Sequence, residues 1–431
     1  MFREGILDKT LRTIKRFIPR RIFSVAAPFY HQLLAYTGAF AYGFPSRSLT
    51  VIGVTGTKGK STTVWLIAKI FEHAGIKVAA IGSLGYKIGQ KEWPNLLKMT
   101  MPGRWKIQKF LHEAVEAGCK YAVIECPSEG LAQSRHLGIQ FDCAVFTSLH
   151  PEHLEAHGSF EAYRDAKQIL FRVCRGVHVI NADDPGVGYF SYFPSRVRVT
   201  YGTTASDVRA ESIITDAQRS SFVVDGVSVS LQLGGIFNIS NALAAMTVAR
   251  MYGVSFEKSS EALQTITNIS GRMEWIQREP FGVVIDYAHT PDSLLLVYQT
   301  LFQEAHHKNG NLIAVLGSAG GGRDRAKRAR FGAIAEKYAD KIILTDEDPF
   351  DENPDSIVHD IASGFSSAET KTIKCHIEMD RREAIRRAIS LANSNDIIIV
   401  TGKGSETSMA LANGKKIPWS DAKIAQELLK K

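Results

Sequence analysis

The sequence predicts an α/β protein with two parallel-sheet domains behind a short basic extension. Short apolar runs end in loops rich in Gly, Asp or Thr, as buried parallel strands do. Helical patterns separate these runs, which is typical of βαβ architecture. The series changes once, near residues 199–233, where SFVVDGVSVSLQLGG predicts a hairpin or small antiparallel patch.

Length and composition fit an ordinary globular protein. At roughly 150 residues per domain, 431 residues predict two to three domains. The chain is 45% hydrophobic and 22% charged, which excludes a disordered chain, a collagen-like repeat and a coiled-coil rod. A net charge of +8 does not indicate nucleic-acid binding and suits anionic substrates equally well. Five scattered cysteines, without a Cys-x-x-Cys pair, predict no disulfide framework or zinc ribbon and favour the cytoplasm.

Residues 1–48 form a predicted helical extension. Its first part is basic and amphipathic, with apolar residues at helical spacing at Leu7, Leu11, Ile14 and Ile18. The stretch from Ala26 to Phe44 is fairly apolar but is interrupted by polar residues and Pro28, so we expect neither a transmembrane span nor a signal peptide. The extension is expected to pack on the body. Membrane-surface or partner contact through residues 1–22 is the alternative.

The first predicted domain covers residues 49–270. LTVIGVTG predicts a buried strand entering a Gly-rich turn, and the next helix runs from Ser61 to about Ala74. KVAAIG, YAVIE, FDCAVFT and VHVIN predict further strands of a parallel sheet. After the antiparallel patch, NISNALAAMTVARMYG predicts a helix that begins near Asn238.

The second predicted domain covers residues 271–431 and is Rossmann-like. GVVIDYAHT, NLIAVLGSAGGG, KIILTDEDP and NDIIIVTGKG each predict a strand that runs into a loop. Long helical patterns lie between them. We place the domain boundary near Ser270–Gly271.

A phosphate-binding loop is predicted at residues 53–61, GVTGTKGKS. Glycines allow a tight turn whose backbone N–H groups can surround phosphate oxygens at a helix N-terminus. Lys60 would reach the β- and γ-phosphates, and Ser61 would ligate Mg²⁺. The strict Walker pattern needs glycine at position 54, where this chain has Val54. The residues alone predict nucleoside triphosphate binding without fixing the reaction.

The variant loop TGTKGKST resembles that of the Mur ligase and folylpolyglutamate synthetase superfamily, in which asparagine usually stands at the position of Lys58. Further motifs follow in the family order from about residue 50 to 410. The sequence is identified as a member of the Mur ligase family, most similar to members that add the third residue of the peptidoglycan stem peptide. The resemblance implies an ATP-dependent ligase that activates a carboxylate as an acyl phosphate, with ATP and Mg²⁺. It thereby implies a role in cell-wall biogenesis, cell shape and cell division.

The resemblance also assigns nucleotide-binding residues in both domains. Asn241 matches an adenine-contacting asparagine, while Arg272 and Asp286 resemble an ATP-clamping pair; the role of His289 stays open. The predicted nucleotide-binding residues are Gly56, Thr57, Lys58, Gly59, Lys60, Ser61, Thr62, Asn241, Arg272 and Asp286.

Metal binding is predicted at the end of the strand YAVIE, where the Glu125 carboxylate can emerge at the sheet edge. The resemblance implies that Glu125 is a Mg²⁺ ligand and that His153 binds a second Mg²⁺. It also implies that Lys167 is carbamylated and helps to bind the metal. Ser148 and Glu152 depart from the family's asparagine and aspartate. The predicted catalytic groups are Lys60, Glu125, His153 and Lys167, and the predicted metal ligands are Ser61, Glu125, His153 and Lys167.

Acceptor binding is assigned by partial matches. Thr100, in TMP with Pro102, resembles the family's Thr-Thr-Pro segment, and Gln133 and Arg135 fit positions that hold the D-Glu portion of a muramyl-peptide acceptor. Pro127 and Glu129 replace a serine and a histidine of the family pattern, so the acceptor pose is open.

The added amino acid is assigned to the second domain. Arg323 matches a contact to its carboxylate, and Gly402 and Glu406 align with further contacts, with Ser405 replacing histidine. The loop that reads Asp-Asn-Pro-Arg in diaminopimelate-adding members reads Glu347-Asp348-Pro349-Phe350 here. Without the arginine fork we expect weak or no use of meso-diaminopimelate. A diamino acid such as lysine, its ammonium facing an acidic residue of this loop, is the alternative.

Two questions stay open: how the acceptor's UDP group is recognised, and whether the chain has a different function. About 48 residues precede the first strand, so UDP recognition is minimal, a partner supplies it, or the acceptor lacks UDP, as a lipid-linked acceptor would. Alternatively the acceptor is folate-like or otherwise outside the wall, or the chain binds nucleotide without catalysing.

Overall fold

The computed structural model describes residues 20–96, 99–151, 157–322, 325–367 and 370–430, with side chains from residue 29 onward except at 371 and 372. The described chain forms two compact units. The first unit runs to Ile214 and includes Ser220–Leu231 and Ile236–Thr265. The second unit comprises Thr215–Arg219, Gln232–Gly235 and Ile266–Lys431.

Strands of the first unit form a nine-stranded sheet among the described residues, in the order β4-β3-β2-β5-β1-β6-β7-β8-β9. Strands β2 and β5 to β9 run parallel with β1, while β3 and β4 add an antiparallel edge. The bounds are β1 (Thr50–Thr55), β2 (Val78–Gly82), β3 (Gly85–Ile88), β4 (Lys91–Trp93), β5 (Tyr121–Glu125), β6 (Cys143–Phe146), β7 (Val177–Asn181), β8 (Val197–Gly202) and β9 (Val208–Arg209).

The central strands of this sheet are buried on both faces, which is why they are continuous apolar runs rather than alternating ones. Helices cover the two faces of the sheet. The helices of the first unit are α1 (Arg20–Ala41), α2 (Lys60–His73), α3 (Arg104–Glu116), α4 (Ser128–Ala132), α5 (Phe160–Val173), α6 (Val187–Ser191), α7 (Ile236–Met251) and α8 (Phe256–Gln264), with a 3₁₀ turn at Pro45–Ser48.

The small antiparallel patch that the sequence predicts is a three-stranded sheet of β10 (Glu211–Thr215), β11 (Ser220–Val224) and β12 (Val227–Leu231). A tight turn at Asp225–Gly226 joins β11 to β12, and both turn residues have positive φ, as a hairpin turn of this kind requires. The helix predicted from Asn238 begins slightly earlier, at Ile236.

The second unit contains a six-stranded sheet among its described residues, in the order β13-β14-β18-β15-β16-β17. It is parallel apart from the edge strand β13. The strands are β13 (Glu274–Gln277), β14 (Gly282–Asp286), β15 (Leu312–Leu316), β16 (Lys341–Leu344), β17 (Cys375–Ile377) and β18 (Ile397–Thr401), with a separate hairpin of β19 (Ser408–Ala410) and β20 (Lys416–Pro418). The helices are α9 (Pro291–His307), α10 (Ala326–Tyr338), α11 (Pro354–Ala362), α12 (Arg381–Leu391) and α13 (Asp421–Leu429), with a π turn at Thr370–Lys374 and a 3₁₀ turn at Ala412–Gly414.

A fully buried ion pair braces the second unit. The Arg381 guanidinium donates from Nε and Nη2 to the two carboxylate oxygens of Asp421, at 2.9 and 2.8 Å. Both side chains have no exposed area. Arg381 also donates to the carbonyl of Thr401 at 2.7 Å, so the end of β18 is tied to α12 and α13.

The N-terminal helix α1 packs on the first unit through small residues. Ala35 and Ala39 are fully buried, while Tyr42, just after the helix, contacts the ring of Trp105 edge-on. The opposite side of α1 exposes an apolar row at helical spacing. Its members are Phe29 (77% exposed), Leu33 (64%), Tyr36 (52%) and Phe40 (77%). The amphipathic segment predicted before residue 20 lies outside the described residues. Among the described helices, none is long and apolar enough to cross a membrane.

Candidate active site

The predicted phosphate loop is a tight turn between β1 and α2 in the first unit. Gly56 and Gly59 have φ of 152° and 82°, conformations that favour glycine. A Cβ at Gly56 would lie 2.0 Å from Thr147 Oγ1, and one at Gly59 would lie 2.4 Å from Asn241 Oδ1. The glycines therefore let neighbouring side chains approach the loop backbone.

Hydrogen bonds from the loop after β6 hold this turn in shape. The Thr57 N–H donates to the Ser148 carbonyl at 2.7 Å, and the Lys58 N–H donates to Ser148 Oγ at 2.9 Å. Thr147 Oγ1 donates to the Lys58 carbonyl at 2.6 Å. Ser148 thus fixes the loop backbone through both its carbonyl and its side chain.

Two lysines direct their ammonium groups to the carbonyls of this loop. Lys60 Nζ donates to the Thr57 carbonyl at 2.8 Å. Lys167, on α5, is 1% exposed, and its Nζ donates to the Gly56 carbonyl at 2.7 Å and lies 4.2 Å from the centre of the Tyr163 ring. The Tyr163 hydroxyl is 2.9 Å from Thr57 Oγ1. The fold therefore brings Lys167 to the phosphate loop across 111 residues of sequence.

Glu125 lies beside the first residues of α2. Its Oε1 accepts from Ser61 Oγ at 2.9 Å, and its Oε2 accepts from the Ser83 N–H at 2.8 Å. Ser83 Oγ is 2.8 Å from Thr100 Oγ1, so hydroxyls connect Glu125 to the predicted acceptor residue. Sequence reasoning missed Ser83; the signal was a hydroxyl directly after a buried parallel strand.

The donors at this position fit a magnesium ion. Carboxylate and hydroxyl oxygens are hard ligands, and Mg²⁺ is commonly held by one or two carboxylates together with substrate phosphates. Within the described residues, no group of three or more His, Cys, Asp or Glu side chains could hold a metal by itself. Glu125 and Ser61 are the described residues that could hold the ion here. The predicted ligand His153 lies outside the described residues, as does Glu152.

His157 is a second histidine near the loop that sequence reasoning gave no role. Its Nε2 is 3.1 Å from Ser128 Oγ, and its ring contacts Tyr163 edge-on. Burial lowers the pKa of His157 and nearby Lys167 lowers it further, while Glu129 opposes the shift. Glu129, which replaces a family histidine, therefore acts electrostatically on this neighbourhood.

The predicted adenine and acceptor residues occupy separate parts of the first unit. Asn241 is buried on α7 and accepts from Thr63 Oγ1 at 3.4 Å. Arg135 Nη2 donates to Gln133 Oε1 at 2.7 Å, so the two acceptor residues form one group. Arg135 Nη1 also donates to the Met101 carbonyl.

The predicted ATP-clamping pair of the second unit lies at the end of β14. The Asp286 carboxylate accepts from the N–H groups of Met273 and Ala288, each at 2.7 Å. The Arg272 guanidinium carbon lies 4.6 Å from the centre of the Tyr287 ring. Asp286 thus orders the backbone on which Arg272 stands, and His289 Nδ1 is 2.8 Å from the Tyr287 carbonyl.

A buried charge cluster occupies the predicted amino-acid site of the second unit. Lys403 Nζ donates to Asp348 Oδ1 at 2.8 Å and to Glu406 Oε2 at 2.6 Å. Burial alone would lower the pKa of Lys403, but these two carboxylates outweigh it and raise the pKa. Sequence reasoning named both carboxylates and missed Lys403. The lysine lies in TGKGSE between Gly402 and Glu406, which were both named.

Glu347 differs from its neighbours in this cluster. Glu347 is 6% exposed. Its carboxylate accepts no hydrogen bond from any described residue. Burial raises its pKa, against the attraction of Arg381, Lys403 and Lys327. A Cβ at Gly402 would lie 2.1 Å from Glu347 Oε2, so the glycine makes room for this carboxylate.

Phe350 is the last residue of the segment Glu347-Asp348-Pro349-Phe350. Its φ of 53° is positive, and its backbone N–H donates to the Ala410 carbonyl at 3.4 Å. Its ring lies against Gly321, where a Cβ would come within 2.9 Å of it. Arg323, the predicted carboxylate contact, lies outside the described residues.

Fold and site together define a two-unit α/β enzyme with a phosphate loop and a second, acidic binding site. The Mur ligase middle domain matches residues 54–249, and the Mur ligase glutamate ligase domain matches residues 271–404. The chain belongs to the Mur ligase family and is an acid–amino-acid ligase. Mur ligases are ATP-dependent ligases of peptidoglycan precursors.

Named relatives align with this chain over most of its length. A UDP-N-acetylmuramyl-tripeptide synthetase from Roseiflexus sp. (strain RS-1) is 39% identical over 92% of this chain and 81% of its own length. A UDP-N-acetylmuramoyl-L-alanyl-D-glutamate–2,6-diaminopimelate ligase from Coxiella burnetii is 36% identical over 96% of this chain and 82% of its own. A solved structure of a ligase with that name is 31% identical, with a TM-score of 0.60, and covers 89% of this chain and 78% of its own.

Proposed function

We propose that this enzyme joins an amino acid to the carboxylate of a muramyl-dipeptide-type acceptor in the cytoplasm, with ATP as the phosphoryl donor. The observation that carries the proposal is the arrangement in the first unit, where Lys60 and Lys167 reach the phosphate loop and Glu125 bonds to Ser61. The Lys60 ammonium, together with a Mg²⁺ ion held by Ser61 and Glu125, would neutralise phosphate charge, the main requirement of phosphoryl transfer. The five cysteines are free thiols, consistent with a reducing compartment.

The proposed reaction has two steps. A carboxylate oxygen of the acceptor attacks the γ-phosphorus of ATP, so ADP leaves and an acyl phosphate forms. The amine of the amino acid then attacks the acyl carbon, the C–O bond to phosphate breaks, and the amine loses a proton as the amide forms. Lys60 would neutralise charge on the transferring group, while Ser83 and Thr100 would orient the acceptor beside Glu125.

Mg²⁺ held by Ser61 and Glu125 would supply positive charge to the phosphate oxygens. We further propose that His153 binds a second Mg²⁺ and that Lys167 is carbamylated by CO₂, which would let it help to bind the metal. A buried ammonium is costly to desolvate, and the Lys167 side chain already lies at the loop. Asn241, Arg272 and Asp286 are proposed to bind the remainder of ATP.

Lysine, or a diamino acid of similar length, is the proposed amino acid. Phe350 carries no charge that could bind a distal carboxylate, which disfavours diaminopimelate. Asp348 and Glu406 are already bound to Lys403. Glu347 remains as the buried carboxylate that could receive the side-chain ammonium, while Arg323 and Gly402 would lie near the α-carboxylate.

The N-terminal region is proposed to contact an anionic membrane surface. The apolar row Phe29, Leu33, Tyr36 and Phe40 faces outward on α1. The preceding residues are rich in arginine and lysine. An apolar helix face beside basic residues is typical of helices that bind the surface of an anionic bilayer. Contact there would suit a lipid-linked acceptor as the alternative substrate.

The test is ATP-dependent phosphate release by the purified chain with UDP-N-acetylmuramyl-dipeptide and a panel of lysine, ornithine, meso-diaminopimelate and alanine, with products identified by mass. Lys60→Ala should form no product. Arg172→Gln, a matched change at an exposed residue of α5, should leave the rate unchanged. A condensed lysine product supports the proposal. Intact ATP binding without any product favours a non-catalysing chain, and turnover of diaminopimelate above that of lysine contradicts the amino-acid assignment.

A further inference from the structure

Two arginines of the first unit stand side by side with their guanidinium groups partly buried. Arg104 is the first residue of α3, and Arg135 follows α4. Arg104 donates to the Gln133 carbonyl, and Arg135 donates to the Met101 carbonyl and to Gln133 Oε1. These bonds fix both guanidinium groups in one place, close enough to repel each other.

The described residues provide no carboxylate in ion-pair range of either arginine. Glu129 attracts Arg135 only from a longer distance. Arg104 Nε is buried and has no hydrogen-bond partner. Two arginines of the second unit are fully buried, and both have anionic partners: Arg381 is bound to Asp421, and Arg328 is bound to two carboxylates. Arg104 and Arg135 therefore differ from these two arginines, each of which is bound to a carboxylate.

The electrostatics of this position favour an anion further. Burial lowers the pKa of Arg104 to about 10, with a smaller contribution from Arg135 and an opposing one from Tyr30. Burial also lowers the pKa of Arg135. Arginine side chains stay charged at neutral pH. The N-terminus of α3 adds positive potential, because Gly103 provides no side-chain cap and the first turn contains no acidic residue.

We propose that Arg104 and Arg135 together bind a non-reacting anionic group of the acceptor, and that Arg104 selects for acceptors that carry it. The inference rests on the proposed function, which places Gln133 and Arg135 at the acceptor. The reacting carboxylate belongs near Thr100, which bonds through Ser83 to Glu125 at the phosphate loop. The arginine pair bonds instead to Met101 and Gln133, so it contacts another part of the acceptor. Guanidinium pairs bind carboxylates and phosphates in the same geometry, so either group of the acceptor fits the chemistry.

The test compares Arg104→Gln, Arg104→Lys and the control Arg172→Gln in the full chain. Calorimetric titration gives the Kd of UDP-N-acetylmuramyl-dipeptide and of N-acetylmuramyl-dipeptide, which lacks the diphosphate, and steady-state kinetics give KM and kcat. Arg104→Gln should weaken acceptor binding ~10- to 100-fold with kcat and the KM for ATP unchanged, because a charge-assisted contact to the ground state is lost. Arg104→Lys should restore part of the affinity, and thermal unfolding checks that both variants fold.

The two acceptors identify the anion. A loss of equal size with both identifies a carboxylate of the dipeptide, and a loss confined to the UDP-linked acceptor identifies the diphosphate. An acceptor Kd within twofold of wild type for both, or an equal loss in Arg172→Gln, overturns the proposal. If acceptor binding depends on Arg104 but no product forms, the binding site is supported and the ligase function is refuted. If product forms and acceptor binding does not depend on Arg104, the ligase function is supported and the binding site is refuted.

Discussion

Replacing Glu347 by glutamine tests how the enzyme selects its amino acid. The substitution keeps the size of the side chain and removes its charge. Glu347 belongs to a network of interacting charges in the second unit. Its members are the carboxylates Asp346, Glu347, Asp348, Glu406 and Asp421 and the cations Lys327, Arg381 and Lys403. Lys403 and Arg381 are already bound by their partners. Among these five carboxylates, Glu347 is the one that accepts no hydrogen bond from a described residue.

The magnitude follows from Coulomb's law. An ammonium about 4 Å from a carboxylate gains about 4 kcal/mol at an effective dielectric constant of about 20. Part of that gain offsets removal of the ammonium from water, so we expect a net loss of about 2–4 kcal/mol in Glu347→Gln. At about 1.4 kcal/mol per factor of ten, kcat/KM for lysine should fall roughly 30- to 1,000-fold.

The assay measures kcat/KM for lysine and for norleucine, which has a similar length and no side-chain charge. Norleucine should be used equally well by wild type and by Glu347→Gln, because its contacts to the site are apolar. Glu427→Gln, an exposed change in the same unit, serves as the control. Equal losses for lysine and norleucine would refute the reasoning, since they would show that Glu347 supports the fold of the site rather than an ammonium.

Four further outcomes follow from the structure. Burial raises the pKa of Glu347, so its ionised form destabilises the fold; Glu347→Gln should raise the Tm at neutral pH, and the gain should vanish below about pH 4, where both side chains are neutral. Asp421→Asn leaves the Arg381 charge buried and should cost about 3–5 kcal/mol of unfolding free energy in a denaturant titration; a loss below about 1 kcal/mol contradicts this. With ¹³C-labelled bicarbonate, the NMR spectrum of the enzyme should show a carbamate resonance that is absent in Lys167→Arg. Full activity in CO₂-free buffer, in the absence of that resonance, would contradict carbamylation of Lys167. Deleting residues 1–22 should reduce partition into anionic but not zwitterionic liposomes, and unchanged partition refutes membrane contact.

Much of the fold follows from the sequence because its buried strands are continuous apolar runs between glycine-rich turns. Strand β1 and the turn at Gly56 are examples, since the pattern and the turn chemistry agree. Other elements gave no such signal. Strand β4, Lys91–Trp93, is a short polar edge strand, and the hairpin β19–β20 has three residues on each side. Strands of this length depend on partners rather than on their own pattern.

The candidate site shows a similar division. Motif positions such as Lys60 and Glu125 are local in sequence and could be predicted. Contacts that join distant segments could not, since their geometry depends on the packing of whole elements. Arg104 beside Arg135, Ser83 between Glu125 and Thr100, and Lys403 between two carboxylates belong to this second kind.

Hydrogen bonds connect Ser61 through Glu125 and Ser83 to Thr100. With ATP at Ser61 and the acceptor at Thr100, as proposed above, these bonds would couple the two binding equilibria. Any ligand that changes the bond at Ser61 alters the same carboxylate that holds Ser83. Linkage then requires that ATP change the affinity for acceptor by the same factor by which acceptor changes the affinity for ATP. Ser83→Ala would remove the hydroxyl that bonds to Thr100 while keeping the backbone bond to Glu125, and it should make this factor smaller.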